Sequence, residues 1–204
     1  PRMNGYKLCK TIKEDINISH IPVILLTARD DRQSQISGYK NGADGYLSKP
    51  FEVEMLMELI RNRLKNREYT KKRYLNAGLI PTPEESTISL TDETFLIKLN
   101  SIIQENIENS NLGIQFICQE VGLGRSSLYN KLKALTGMGA NEYISKLRIE
   151  KAITLISGTD MPFSEIAEKT GFTTPSYFST AFKQYTGETP SQYKERKKKG
   201  LADK

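Results

Sequence analysis

The chain has 204 residues, 37% hydrophobic and 26% charged, with a formal net charge of +6. That length allows one or two domains with a proper core, and no apolar run approaches the roughly 20 residues that a membrane-crossing helix needs. His20 is the only histidine, so histidine-rich metal centres are excluded and a catalytic histidine would have to be that one. Cys9 and Cys118 lie far apart in no metal-like spacing and read as small reduced core residues, which suits the cytoplasm. Pro1 stands where an initiator methionine would be, so the chain is expected to be a piece of a longer protein, without a signal peptide of its own.

The charge alone says little about partners. Residues 1–90 carry 15 basic and 11 acidic side chains, and residues 91–204 carry 15 and 13. The second half is nearly balanced, so an argument for a polyanionic partner must rest on pattern.

In chain order, residues 1–74 alternate helix-like and strand-like pieces. Helices are expected near 5–15, 31–41 and 52–73, the last strongly basic towards its end. Ile21 to Ala28 is a continuous apolar run, the pattern of a strand buried on both faces. Asp44 to Ser48 is a second, shorter strand candidate. A strand–helix–strand–helix order implies a parallel sheet. Asp30 and Asp31 follow the first strand as helix-capping candidates.

Residues 75–90, with Gly78, Pro81 and Pro83, read as a linker. From Thr91 the texture is helical throughout, with Phe95, Leu96, Leu99, Ile102, Ile103 and Ile107 at helical spacing. Residues 91–196 form the second expected domain. Residues 197–204 complete a basic tail, expected to be solvated and disordered from Gly200 onward.

An internal repeat lies in this second domain. Gly122 to Gly137 aligns with Gly171 to Gly187: Leu128 falls on Phe178, Leu132 on Phe182, and Thr136-Gly137 on Thr186-Gly187. Upstream, Ile117-Cys118 falls on Ile166-Ala167. A period of about 50 residues seen twice means duplication of a small unit.

Each copy carries helix-turn-helix chemistry. A short helix (Ile114 to Val121; Phe163 to Thr170) holds a small residue, Cys118 or Ala167, four positions before a glycine. The glycine supplies the left-handed backbone that ends the helix. An apolar plug (Leu123, Phe172) precedes a second helix, expected over 125–136 and 175–186. Its outward face carries Arg125, Ser126, Tyr129, Asn130 and Lys133 in one copy, and Pro175, Ser176, Ser179, Thr180 and Lys183 in the other. Hydroxyl, amide and cationic groups on an exposed helix are what a major groove is read with. Asn141 to Ser157 reads as one long helix able to hold the two copies apart. One copy alone is equally a helical hairpin with a merely polar outer face; two sharing the same small residue, glycine and plug weigh against that.

These residues resemble the AraC/XylS family from Thr91 to Arg196, notably Gly171-Phe172, Ser176-Tyr177-Phe178, Phe182-Lys183 and Thr189 to Tyr193. The resemblance implies an all-α domain of seven helices that binds double-stranded DNA. By position, Ser126, Tyr129, Asn130, Ser176, Ser179 and Thr180 would read bases. Arg125, Lys131, Lys133 and Lys183 would touch phosphates. RNA polymerase and a second copy of the chain are further partners it admits.

Pro1 to Cys9, Ile21 to Ala28 and Gly42 to Phe51 resemble the C-terminal part of a two-component receiver domain. That implies an incomplete α/β, flavodoxin-like fragment ahead of the all-α domain. Thr27, Tyr46 and Lys49 would be its switch residues, and the Lys49–Pro50 bond would be cis. The family's phosphoacceptor aspartate and acidic metal pair have no counterpart here, so the fragment is expected to accept no phosphate and to be unstable alone. The resemblance makes the longer protein a target of an upstream histidine kinase, and inner-membrane anchored where it is a hybrid sensor kinase. No cofactor, metal, small-molecule substrate or enzymatic reaction is expected. A phosphotransfer module and a helical protein-interaction domain remain the competing readings.

Overall fold

The computed structural model describes residues 3–28, 31–77 and 89–202. The chain folds as two compact units: Pro1–Lys98 with Ser126–Gly137, and Leu99–Arg125 with Met138–Lys204. Among the described residues no helix is long and apolar enough to cross a membrane.

In the first unit, α1 (Gly5–Glu14) starts where the Asn4 side chain accepts the Lys7 N–H at 2.8 Å. Strands β1 (Ile24–Thr27) and β2 (Gly45–Ser48) pair in parallel, with Ile24 opposite Gly45 and Thr27 opposite Ser48. Helix α2 (Arg32–Lys40) connects them and is capped by Asp31, whose carboxylate accepts from the Ser34 N–H at 2.8 Å and hydroxyl at 2.6 Å. Asp31 thus has the capping role expected of it, and Asp30 lies outside the described residues. Helix α3 (Val53–Ala77) follows β2, and the Lys49–Pro50 peptide bond before it is cis.

Buried Gly45, Tyr46 and Leu47 make β2 the core strand. The other strand departs from expectation: β1 is half-buried and its Leu26 is 43% exposed. The physical reason is the sheet itself, which has two strands among the described residues and leaves β1 one neighbour only.

Helix α4 (Leu90–Glu105) runs from the first unit into the second, and residues 78–88 of the expected linker lie outside the described residues. The second unit continues with α5 (Ile114–Val121), α7 (Ala140–Gly158), α8 (Phe163–Lys169), α9 (Pro175–Thr186) and α10 (Pro190–Ala202). The remaining helix, α6 (Arg125–Thr136), belongs from Ser126 onward to the first unit. From α4 to α10 these are the seven helices expected. Helix α10 extends to Ala202 where disorder was expected from Gly200, while residues 203–204 lie outside the described ones. Its basic run is anchored by acids: Lys194 lies 3.2 Å from Asp160 and Lys199 lies 2.8 Å from Glu195.

Candidate nucleic-acid interface

Both copies of the repeat turn in the same way. After α5 the Leu123 N–H donates to the Cys118 carbonyl at 3.0 Å and the Gly122 N–H to Gln119 at 3.3 Å. After α8 the Phe172 N–H donates to the Ala167 carbonyl at 2.9 Å and the Gly171 N–H to Glu168 at 2.9 Å. This pair of bonds closes a helix on a left-handed residue, and Gly122 and Gly171 have φ of +75° and +71°. A Cβ at Gly122 would meet nothing within 4 Å, whereas one at Gly171 would collide with the Ile107 carbonyl oxygen and come within 2.9 Å of Arg148. The first glycine is required by backbone conformation, the second by conformation and space.

The exits also repeat. Thr136 donates its hydroxyl to the Leu132 carbonyl at 2.8 Å, as Thr186 does to Phe182 at 2.8 Å.

Helix α9 begins with Thr174, whose hydroxyl accepts the Tyr177 N–H at 3.2 Å, and Pro175 occupies its first turn. Its inner face is aromatic. Phe178 and Phe182 are fully buried in a cluster with Ile149, Ala152, Ile156, Ile166, Ala167 and Phe172. Ring centroids lie 5.4 Å apart for Phe172–Phe178, 5.7 Å for Phe178–Phe182 and 5.6 Å for Phe182–Tyr193. Such offset and edge contacts add to the burial of the rings.

One polar tie fixes α9 to α7. The Tyr185 hydroxyl donates to Glu150 at 3.2 Å. Burial raises the Glu150 carboxyl above its ordinary range, with Lys146 pulling it back. Arg148 donates to the Asn109 carbonyl at 2.6 Å and stacks on Phe172. On the outer face Ser176, Thr180 and Lys183 are exposed and Ser179 is half-buried. They follow i, i+3, i+4, i+7 and share one stripe. Tyr177, 56% exposed beside them, is an addition to the residues singled out from sequence. Its signal was available, since the inward stripe needs only Phe178 and Phe182.

On α6 the same spacing puts Ser126, Tyr129, Asn130 and Lys133 on one exposed stripe. Arg125 is exposed too, with a bond to the Gln115 side chain at 3.3 Å. Lys131 corrects the sequence reading, which had it touching phosphate. It is fully buried and shares the inward stripe with Leu128, Leu132 and Leu135. Its ammonium donates to the Asp92 carboxylate and, at 2.7 Å, to the Ser19 hydroxyl, which in turn donates to Asp92 at 2.7 Å. The Phe95 ring lies 5.1 Å below the charge. Burial pushes the Lys131 pKa down and Asp92 acts to restore it. A cation closed into such a cluster, with no exposed surface, is out of reach of a phosphate, and Asp92 and Ser19 are partners that sequence spacing did not single out.

Residues 117–196 match the family described as a helix-turn-helix domain, and residues 1–61 match the response regulator receiver domain. The chain joins a receiver domain segment to an AraC-type helix-turn-helix domain. It is thus a DNA-binding output part of a two-component system. Histidine kinase P4 from Formosa agariphila is 42% identical over 196 residues, which are 96% of this chain and 14% of that protein. The transcriptional activator RhaR from Salmonella dublin is 34% identical over 102 residues, 50% of this chain and 36% of that one. The chain therefore spans less than half the length of either relative. Among solved structures, the C-terminal domain of the two-component response regulator yesN from Fusobacterium nucleatum aligns at 32% identity with a TM-score of 0.44. The alignment covers 47% of this chain and 93% of that one.

In the receiver segment, Thr27 ends β1 and the Lys49 N–H donates to its carbonyl at 2.6 Å, while the Lys49 side chain is exposed. Tyr46 is buried on β2, and burial raises its phenol above the ordinary value, with the Thr27 hydroxyl acting the other way. The strand register sets Thr27 opposite Ser48, next to Lys49, and Tyr46 opposite Leu25.

Proposed function

We propose that the AraC-type domain reads double-stranded DNA with α6 and α9 in successive major grooves. Ser126, Tyr129 and Asn130 contact bases from α6, and Ser176, Ser179 and Thr180 from α9. Arg125, Lys133 and Lys183 contact the phosphates beside them. The observation that carries this is the duplication: two turns closed by the same pair of bonds each lead into a helix with a polar, largely exposed i, i+3, i+4, i+7 stripe. The boundaries are a receiver segment over 1–74, a linker over 75–90, the DNA-binding domain over 91–196 and a basic tail over 197–204.

In the same reading Thr27, Tyr46 and Lys49 are switch residues, and the chain supplies neither a phosphoacceptor nor an enzymatic step. It acts in the cytoplasm as part of a longer protein, either a response regulator addressed by a histidine kinase or the end of a hybrid sensor kinase, which would be anchored in the inner membrane. RNA polymerase and a second copy of the chain are its further partners.

Selection from a random DNA pool with the full 204-residue chain tests this. Two short blocks about one helical turn (roughly 34 Å) apart are expected. Tyr129→Ala should relax the one block and Ser179→Ala the other, with the fold intact. Treatment with a small phosphodonor should change neither block. Binding without an enriched sequence that vanishes steeply with salt would overturn the reading in favour of a protein-interaction domain.

A further inference from the structure

The first unit holds a small, partly open cavity of about 80 Å³. Ala134 and Leu135 of α6 form part of its wall; Lys13, His20, Asp44, Arg63, Arg67 and Asp92 supply the polar groups that matter. Each carboxylate there already has a cation. Lys13 lies 2.7 Å from Asp44, and Lys131 holds Asp92.

Two guanidiniums one helical turn apart on α3 are left over. Among the described residues Arg67 donates from Nε to the Ala134 carbonyl at 3.4 Å. Arg63 has a buried Nε that finds no acceptor among the described residues, and the same holds for Nδ1 of His20. Burying cationic donors without an acceptor is costly. Two neighbouring positive charges facing one space add repulsion.

A single kind of group relieves all three side chains: one with negative charge and several acceptor oxygens. Guanidinium forks match phosphate and carboxylate oxygens in pairs. One water needs roughly 10–15 Å³ on the same measure, so 80 Å³ admits a small oxyanion with a few waters.

We propose that this cavity binds a small oxyanion, held by Arg63 and Arg67 with His20 as the third contact. The site is independent of the DNA-reading stripes, since none of the residues on them lines it.

Because His20 is the only histidine, its imidazole resonances report the site without assignment ambiguity. Titrating the full chain with inorganic phosphate at constant ionic strength should move them along a saturable curve. Acetate in a parallel series separates the two oxyanion classes: the tighter of the two identifies the class. Binding should raise the His20 pKa, because the anion offsets the burial and the cations Lys131, Arg67 and Lys13 that depress it.

Arg63→Gln removes no hydrogen bond made to the described residues and should weaken the tighter anion by about tenfold or more, the loss of a charge-assisted hydrogen bond. Arg67→Gln should do the same, and if it unfolds the chain Arg63→Gln alone carries the test. A response linear in both anions, matched by chloride, or unchanged in Arg63→Gln would overturn the proposal and leave a cavity filled by water.

Discussion

The two recognition helices share a turn and an exit but are held in different ways. Helix α9 rests on Phe178 and Phe182 in an aromatic cluster. Helix α6 carries, at the place where α9 has half-buried Ala181, the fully buried Lys131 closed onto Asp92 and Ser19. Apolar packing is non-directional and tolerates small shifts. A buried ion pair is stabilising only while every partner is present. Ser19 belongs to the receiver segment and Lys131 to a recognition helix, so the cluster ties the two parts of one unit through polar bonds. Both copies keep a polar outer stripe, while their inner contacts differ.

Breaking that cluster should have the largest effect. Lys131→Met leaves the Asp92 carboxylate buried without its cation and should cost roughly 3–5 kcal/mol in denaturant unfolding. Adding Asp92→Leu should restore most of the loss. Phe182→Ala on α9 should cost about as much, yet no change at a single neighbour should repair it. A Lys131→Met loss below about 1 kcal/mol would place that ammonium in water and remove the contrast.

The turns sharpen the comparison at smaller scale. Gly122→Ala should cost about 1–2 kcal/mol, the left-handed backbone penalty alone. Gly171→Ala should cost more, because Arg148 and the Ile107 carbonyl must also move. Asparagine, which tolerates the left-handed region, should rescue position 122 and fail at 171. Equal thermal shifts for the two alanine variants would contradict the close approach at Gly171.

The smallest effect is a pH dependence confined to the first unit. Burial first, then Lys131, Arg67 and Lys13, lower the His20 pKa below 6.5. Just below 6.5 the unfolded chain therefore binds more protons than the folded one, and stability falls as pH falls through that window. His20→Gln should flatten the slope there. An unchanged slope would mean that His20 titrates alike in both states.

Much of the second domain was legible in the sequence because its signals are local. Both recognition helices begin and end where the repeat placed them, at 125–136 and 175–186. Glycine-ended turns, threonine caps and i, i+4 apolar pairs act over a few residues, so spacing suffices to read them. The exposed stripes of α6 and α9 followed from the same arithmetic. Lys131 was misread although that arithmetic put it inward with Leu128, Leu132 and Leu135, because a lysine is almost never fully buried unless paired.

What the sequence determined by itself is the kind of element each segment forms and which face is polar, since backbone bonding and helical periodicity decide these within a turn or two. The tertiary structure alone decided where a buried charge finds its partner. Asp92 stands 39 residues from Lys131, and Ser19 stands 112 residues away. Whether β1 is covered and whether α3 and the α1–β1 connection form a cavity at His20 were settled in the same way. Desolvation depends on groups far apart in the chain, and no local pattern encodes it.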